Sequence, residues 1–289
     1  MTSFAVGLPN LREYADPRVI AELAALAELR GWDGVFVWDH LLDIEPGEDV
    51  GLPATDPWIA LAAAAAATER VRLGPMVTPL SRRRPWKVAR ETVALDLLSN
   101  GRMVFGVGLG AHADEEFAAF GDPADARVRA DLLDEGLDII ESLWSGERVA
   151  HDGERYQVST PGFTPGPVQR PRIPIWIAGT WPNRRPFRRA ARYDAVFPTR
   201  VGVGHAEMMP PGDLAEIVAY VSAHRAPDAG AFDVAMEGQT SGVDTAADAR
   251  VVGAYVAAGL TWWVEKLGWF RGDLGAMRAR IDAGPPLAE

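Results

Sequence analysis

Residues 71–110 read VRLGPMVTPLSRRRPWKVARETVALDLLSNGRMVFGVGLG. An apolar run from Val71 to Val77 is followed by Pro85 and helical spacing to Leu98, then Gly101, then a second apolar run from Val104 to Val107. Strand, helix and strand signals in that order make one βα unit and the start of the next. Proline at the first helical position and glycine just past the last mark both ends of the helix.

The same alternation extends in both directions. Upstream, Phe4 to Leu8 reads as a strand. Asp16-Pro17 gives an N-cap and an N1 proline for a helix through Leu29, ended by Gly31. Val35 to Trp38 is a second strand, and Asp56-Pro57 repeats the helix start before an Ala-rich helix to Thr68. Downstream, Val128 to Trp144 carries Leu132, Leu133, Leu137, Ile140 and Leu143 on one helical face. Strands are expected at Ile173 to Ala178, Ala195 to Phe197, Phe232 to Glu237 and Thr261 to Glu265, with helices at 184–191, 213–224, 247–258 and 274–281. The rhythm breaks over residues 146–172, which are rich in Gly and Pro and hold a hairpin-like piece near Arg148 to Val158. We read this as an insertion loop between the fourth helix and the fifth strand. Eight strand–helix units predict an α/β chain folded as a (β/α)8 TIM barrel, one domain over residues 1–289. A doubly wound open sheet is the alternative.

Composition narrows the function. The 289 residues include 29 basic and 40 acidic side chains, a net charge of −11, and no cysteine. The charge argues against a broad grip on nucleic acid or an anionic membrane, while a local basic pocket for a small anion remains compatible with it. Without cysteine there is no disulfide, thiol nucleophile or thiolate metal site. The start, MTSFAVGLPNLREYADP, lacks a basic segment and a long apolar run, so a cytoplasmic protein is expected. His112, His151, His205 and His224 are scattered, with no paired ligand spacing, so no catalytic metal is expected.

In a TIM barrel the chemistry lies at the carboxyl ends of the strands. That rule selects Asn10, Asp39, His40, Gly74 to Thr78, Gly108 to His112, Gly179 to Trp181, Thr199, Arg200, Glu237, Gln239, Glu265 and Lys266. His40 suits proton transfer near neutrality, with Asp39 as the neighbour that could tune it. Its structural alternative is a histidine capping a strand. Gly106-Val-Gly108-Leu-Gly110 lacks dinucleotide spacing but would let a flat ring approach the backbone. A plain turn explains it equally. Gly179-Thr180-Trp181-Pro182 precedes Arg184, Arg185, Arg188 and Arg189, a setting for a phosphate; the alternative is a solvated basic face. Arg82-Arg83-Arg84 could reach the same mouth or form a solvated turn. Among ten tryptophans, Trp38 and Trp181 are the ones placed to wall a pocket, with core packing, the more common role, as the alternative.

Taken together, these segments resemble the bacterial luciferase-like oxidoreductase family. The resemblance rests on Trp38-Asp-His-Leu41, Leu73-Gly-Pro-Met-Val-Thr-Pro-Leu80, Leu95-Asp-Leu-Leu-Ser-Asn-Gly-Arg102, Val104-Phe-Gly-Val-Gly-Leu-Gly110 and Pro174-Ile-Trp-Ile-Ala-Gly179, and runs on to Arg280-Ile-Asp-Ala-Gly-Pro-Pro. It implies an oxidoreductase or monooxygenase that binds flavin mononucleotide (FMN) or the 8-hydroxy-5-deazaflavin coenzyme F420 at the barrel mouth. A cis peptide bulge within Gly74, Pro75, Met76 and Val77 would back the ring, helped by Gly108 and Gly110. Gly179, Thr180 and Trp181 would hold the phosphate, and His40 would act at the reacting centre. The resemblance also implies a small-molecule substrate and a homodimer. Deazaflavin-dependent sugar-phosphate dehydrogenases that this chain resembles place a glutamate just after the strand-four glycines. Here that position is Ala111, followed by His112 and Ala113, with Asp114 and Glu115 out of register, so that substrate is not assigned. A catalytically silent flavin-binding barrel is the alternative function, and a nicotinamide dehydrogenase would need a dinucleotide loop the sequence lacks.

Overall fold

The computed structural model describes residues 2–43, 48, 50–204 and 206–286; His205 lies outside them. Its elements follow the βα alternation. β1 (Ser3–Leu8) leads to α1 (Pro17–Leu29), and β2 (Gly34–Val37) to α2 (Pro57–Ala66). β3 (Arg72–Pro75) and β4 (Thr78–Pro79) precede α3 (Pro85–Leu98), and β5 (Phe105–Gly108) precedes the short α4 (Ala113–Glu116) and long α5 (Ala126–Trp144). A hairpin, β6 (Val149–Asp152) and β7 (Gln157–Thr160), falls between α5 and β8 (Ile175–Trp181). Then come α6 (Arg184–Ala190), β9 (Ala195–Arg200), α7 (Pro211–Ser222), β10 (Asp233–Gly238), α8 (Thr245–Ala257), β11 (Trp262–Lys266) and α9 (Leu274–Asp282).

The helix starts work as their sequence suggests. Asp16 accepts a hydrogen bond from the Arg18 backbone N–H, and Asp56 accepts from Trp58 and Ile59, each just before a proline at N1. At the other end, Asn100 and Gly101 both take left-handed φ angles, and Arg102 turns its guanidinium onto carbonyls of Ala65, Thr68 and Val71. Those acceptors lie at and beyond the end of α2 and would otherwise lack donors.

The nine large-sheet strands run β3-β2-β1-β11-β10-β9-β8-β5-β4, all parallel. The two ends of that list are consecutive pieces of one strand path. Leu73 donates to the Arg102 carbonyl at 3.2 Å and accepts from Val104 at 2.9 Å, while Thr78 and Pro79 pair with Val107 and Gly108. The sheet therefore closes into a barrel of eight strand positions. The continuous strand expected over Val71 to Val77 is interrupted at Met76 and Val77, whose peptide bond is cis.

Strand alternation divides the core in two. Inside the barrel, Phe36, Trp176 and Trp262 pack with ring centroids 5.2, 5.4 and 6.1 Å apart, among Ala5, Val104, Ala195, Phe197, Ala235 and Val264. Each such aromatic contributes about 2–3 kcal/mol by burial. They plug the barrel and leave its carboxyl-end mouth open. Trp263 and Trp181 belong to the outer core between strands and helices. No helix among the described residues is long and apolar enough to cross a membrane.

Gly74 is part of this closure. A Cβ there would lie 1.9 Å from the Val104 carbonyl oxygen, so the backbone of β3 or its neighbour would have to move. Gly74→Ala is expected to cost about 3 kcal/mol or more. A urea denaturation midpoint equal to that of the unsubstituted protein would contradict this packing.

Candidate active site

β2 ends at Val37, so Trp38, Asp39 and His40 are free of strand alternation and each turns to a different partner. Asn10, at the end of β1, fixes the backbone there. Its Nδ2 donates to the carbonyls of His40 at 2.8 Å and Thr55 at 2.7 Å, and its Oδ1 accepts from the His40 N–H at 3.2 Å.

The His40 ring meets a carboxylate through Nδ1, 2.9 Å from Glu116 Oε1. Glu116 ends α4, and its side chain is 1% exposed. It also accepts from the Leu41 N–H at 3.0 Å and pairs with Arg82. Burial works against its charge, but the hydrogen bond and charge of His40 and the Arg82 guanidinium outweigh burial and hold its carboxyl below the usual range. An ionised carboxylate only accepts, so the proton between the two groups sits on His40 Nδ1. When the ring is neutral, Nε2 is then left to accept; it has no hydrogen-bond partner among the described residues.

The carboxylate that contacts His40 is therefore Glu116, where the adjacent Asp39 was expected. The Asp39 carboxylate is fully buried and accepts from Thr78 Oγ1 at 2.9 Å, Arg82 at 2.8 Å, and Arg83 at 2.9 and 3.0 Å. Among the described residues the Asp39 carboxylate makes no hydrogen bond to His40, and Arg82 is the cation that both acids share. Arg82 and Arg83 are thus neither free cations at the mouth nor a solvated turn; Arg84 lies over the Trp86 ring at 5.8 Å.

Above this network lies a cavity of about 700 Å³ at the carboxyl ends of the strands. Trp38, His40, Met76, Val77, Gly110, Gly179 and Thr180, all singled out in the sequence, line it. So does Asp39. Gly74, Pro75, Gly108 and Trp181 do not. Gly74 and Gly108 serve strand packing: a Cβ on Gly108 would sit 3.0 Å from both Val77 and Ala178 side chains. Pro75 is a buried β3 residue, and its carbonyl oxygen would lie 2.1 Å from a Cβ on Gly106. Trp181 packs outward, 5.3 Å from Phe187 and 6.1 Å from Tyr220, with the Arg184 guanidinium 3.8 Å over its ring. Gly179 is needed for a different approach, since a Cβ would come within 2.6 Å of Pro186 on α6.

Charge is unevenly spread around the cavity. On the α5 and α6 side, Arg127, Arg129, Arg185 and Arg189 line the wall. Arg185 and Arg189 pair with Asp131 and Asp134, and Arg129 donates to the Leu109 carbonyl at 3.0 Å. Arg127 makes no ion pair among the described residues. Thr180 and Thr199 hydroxyls meet at 3.0 Å beside them. Toward the barrel axis, Met76, Val77, Ala178 and Phe197 make an apolar floor. There Glu237 accepts from Trp38 Nε1 at 2.9 Å and pairs with Lys266 at 3.1 Å. An apolar floor and a cationic rim in a cavity this large suit a flat ring carrying an anionic tail. A second cleft, about 250 Å³, shares Trp38 and His40 with the first and continues past Leu11, Asp43, His112, Glu115 and Trp269. His112 holds a left-handed φ of 49° and places its ring centroid 5.6 Å from that of His40.

Glu116 is not reached from the sequence, which offers the adjacent Asp39 as the partner of His40 and has Ala111 where the similar dehydrogenases carry a glutamate. The run Asp114-Glu115-Glu116 was the available signal, but only the turn at His112 and the four-residue helix α4 show which acid reaches His40.

The profile of the family described as luciferase-like monooxygenase matches residues 1–260 of this chain. An F420-dependent glucose-6-phosphate dehydrogenase of Beutenbergia cavernae is 39% identical over 184 residues, a match covering 62% of this chain and 52% of that one. The chain thus spans about half the length of the curated relatives it matches. Among solved structures, a coenzyme F420-dependent tetrahydromethanopterin reductase from Methanopyrus kandleri superposes with a TM-score of 0.73 at 17% identity, covering 98% of this chain and 97% of that chain. The oxygenating constituent of 3,6-diketocamphane monooxygenase from Pseudomonas putida, in complex with FMN, gives 0.75 at 16% identity, covering 98% and 96%. Both share the barrel.

Glu116 also makes a pH prediction. Its carboxyl titrates lower in the folded chain than in the unfolded one, where a glutamate ionises near about 4.3. Its contribution is therefore complete above that value and disappears as pH falls through the lower, folded one. Unfolding free energies of the unsubstituted protein and Glu116→Gln should differ by about 1 kcal/mol or more at neutral pH. The gap should narrow below about pH 4. A gap that stayed constant down to acid pH would contradict the ionised pairing.

Proposed function

Because this chain belongs to the luciferase-like monooxygenase family, we propose that it is an oxidoreductase that binds coenzyme F420 or FMN in the 700 Å³ cavity and acts on a small organic molecule. The observation that carries this reading is His40, fixed through Nδ1 by Glu116 and facing the cavity that has an apolar floor and a cationic rim. The relative's F420 dependence favours the deazaflavin. When bound, either ring supplies the hydride chemistry that no side chain here can perform.

The chain's own residues bind, orient and handle the proton. Met76, Val77, Ala178 and Phe197 offer the ring a dry surface, and Arg127 with the Thr180 and Thr199 hydroxyls offers contacts to its anionic tail. His40 takes the substrate hydroxyl proton on Nε2 as a carbonyl forms, or returns it in the reverse direction. Glu116 stabilises the resulting imidazolium. The cluster beneath holds two cations, Arg82 and Arg83, and two anions, Asp39 and Glu116, so it places no excess positive charge against that proton. The reading treats residues 1–289 as one domain with an insertion at 146–172, a homodimer, and a cytoplasmic enzyme.

Fluorescence titration of the purified protein with F420 and with FMN tests the reading. Binding at micromolar levels, about −8 kcal/mol, is expected for at least one of them. In His40→Ala that binding should persist while turnover falls by about 10²–10⁴-fold. Failure of both coenzymes to bind would overturn the proposal. Binding without turnover under any reductant or oxidant would favour a silent cofactor-binding barrel.

A further inference from the structure

The charges around His40 bear on what the substrate can be. Four cations lie at this end of the site, and each is tied to a carboxylate. Arg82 and Arg83 are held by Asp39 and Glu116. Lys266 is paired with Glu237 and lies 5.7 Å over the Trp38 ring. Arg12 meets Asp43 at 2.5 Å and stacks 4.4 Å over Trp269. Glu115, in the smaller cleft, makes no ion pair among the described residues. Five carboxylates thus face four cations, whereas the two cavity cations that make no ion pair among the described residues, Arg127 and Arg129, lie on the α5 side of the larger cavity, Arg129 being held by the Leu109 carbonyl.

We infer that the molecule worked on beside His40 is an uncharged alcohol or carbonyl compound and carries no phosphate. This rests on the proposed function and sharpens its substrate class. A phosphate buried at this end would lose its water without gaining an available cation, an uncompensated cost. Pulling Lys266 from Glu237 to reach it would strand that carboxylate beside Trp38, moving the cost rather than removing it. The aromatic and imidazole walls of the smaller cleft, Trp38, Trp269, His40 and His112, instead suit a neutral molecule with a hydroxyl or carbonyl oxygen. The assignment separates this chain's substrate from the one named for the F420-dependent glucose-6-phosphate dehydrogenase to which it is similar, and it rests most directly on the Glu237–Lys266 pair of this chain.

The test follows the imidazole resonances of His40 and His112 by NMR while glucose 6-phosphate is added to the cofactor-loaded protein and, in parallel, to the cofactor-free protein. A phosphate held at Arg127 leaves these signals in place, and one held beside His40 moves them. No saturable shift is expected in the unsubstituted protein. Glu237→Gln keeps an acceptor for Trp38 but frees Lys266, so it should acquire a saturable shift, with affinity for glucose 6-phosphate raised at least about tenfold. Adding Lys266→Met should abolish that gain. Saturable binding beside His40 in the unsubstituted protein, or its turnover of glucose 6-phosphate, would overturn the inference. So would a Glu237→Gln variant, folded by circular dichroism, that gains nothing. A protein that binds neither coenzyme refutes the cofactor reading, and the cofactor-free titration still decides on phosphate.

Discussion

Arg82 holds two buried carboxylates at once, Asp39 and Glu116, and the geometry of the mouth depends on that sharing. Its side chain is 3% exposed, so neither acid could be left alone beside it without several kcal/mol of uncompensated charge. Arg83 and Thr78 complete the bonds of Asp39, and His40 with the Leu41 N–H completes those of Glu116. The network ties the end of β2 to β4, to the turn before α3, and to α4. These segments lie far apart in the chain, and the ring of His40 is oriented where they meet.

The rest of the barrel keeps that meeting point dry below and open above. Phe36, Trp176 and Trp262 fill the interior, so the cavity at the mouth has a floor. Gly74 and Gly106 let neighbouring strands approach until carbonyl oxygens occupy the space a Cβ would need. The glycines of β3 and β5 are thus devices of closure, and the wall of the cavity is made mainly by side chains. Arginines collect on the α5 and α6 side, while the His40 side is neutralised pair by pair. One cavity therefore has an anion-tolerant edge and a His40 side whose cations are each held by a carboxylate.

Much of the scaffold was legible in the sequence because its causes are local. Asp16-Pro17 and Asp56-Pro57 cap helices by bonds spanning two or three residues, and the alternation of apolar runs with helical faces is enough to predict a barrel. His40 could be singled out by its place after an apolar strand, and it does line the cavity. What escaped was set by contacts across the chain. Glu116 reaches His40 over 76 residues, and a stretch of acids does not say which member will be turned inward. Asp39 looked like the partner of His40 because it is adjacent, yet two arginines from beyond β4 claim it. Gly108 and Trp181 sit at strand ends as expected, but the face each presents depends on Val77, Ala178, Phe187 and Tyr220, which only the folded chain brings close.

The central claim is that Glu116 fixes the proton of neutral His40 on Nδ1 and leaves Nε2 to the reacting side. The ¹⁵N chemical shifts of the His40 imidazole, assigned in the cofactor-free protein at neutral to mildly alkaline pH, report this directly. The account predicts a protonated Nδ1 and a bare Nε2, with that preference lost in Glu116→Gln. A ring that carries its proton on Nε2, or one whose tautomer is indifferent to Glu116, would contradict it.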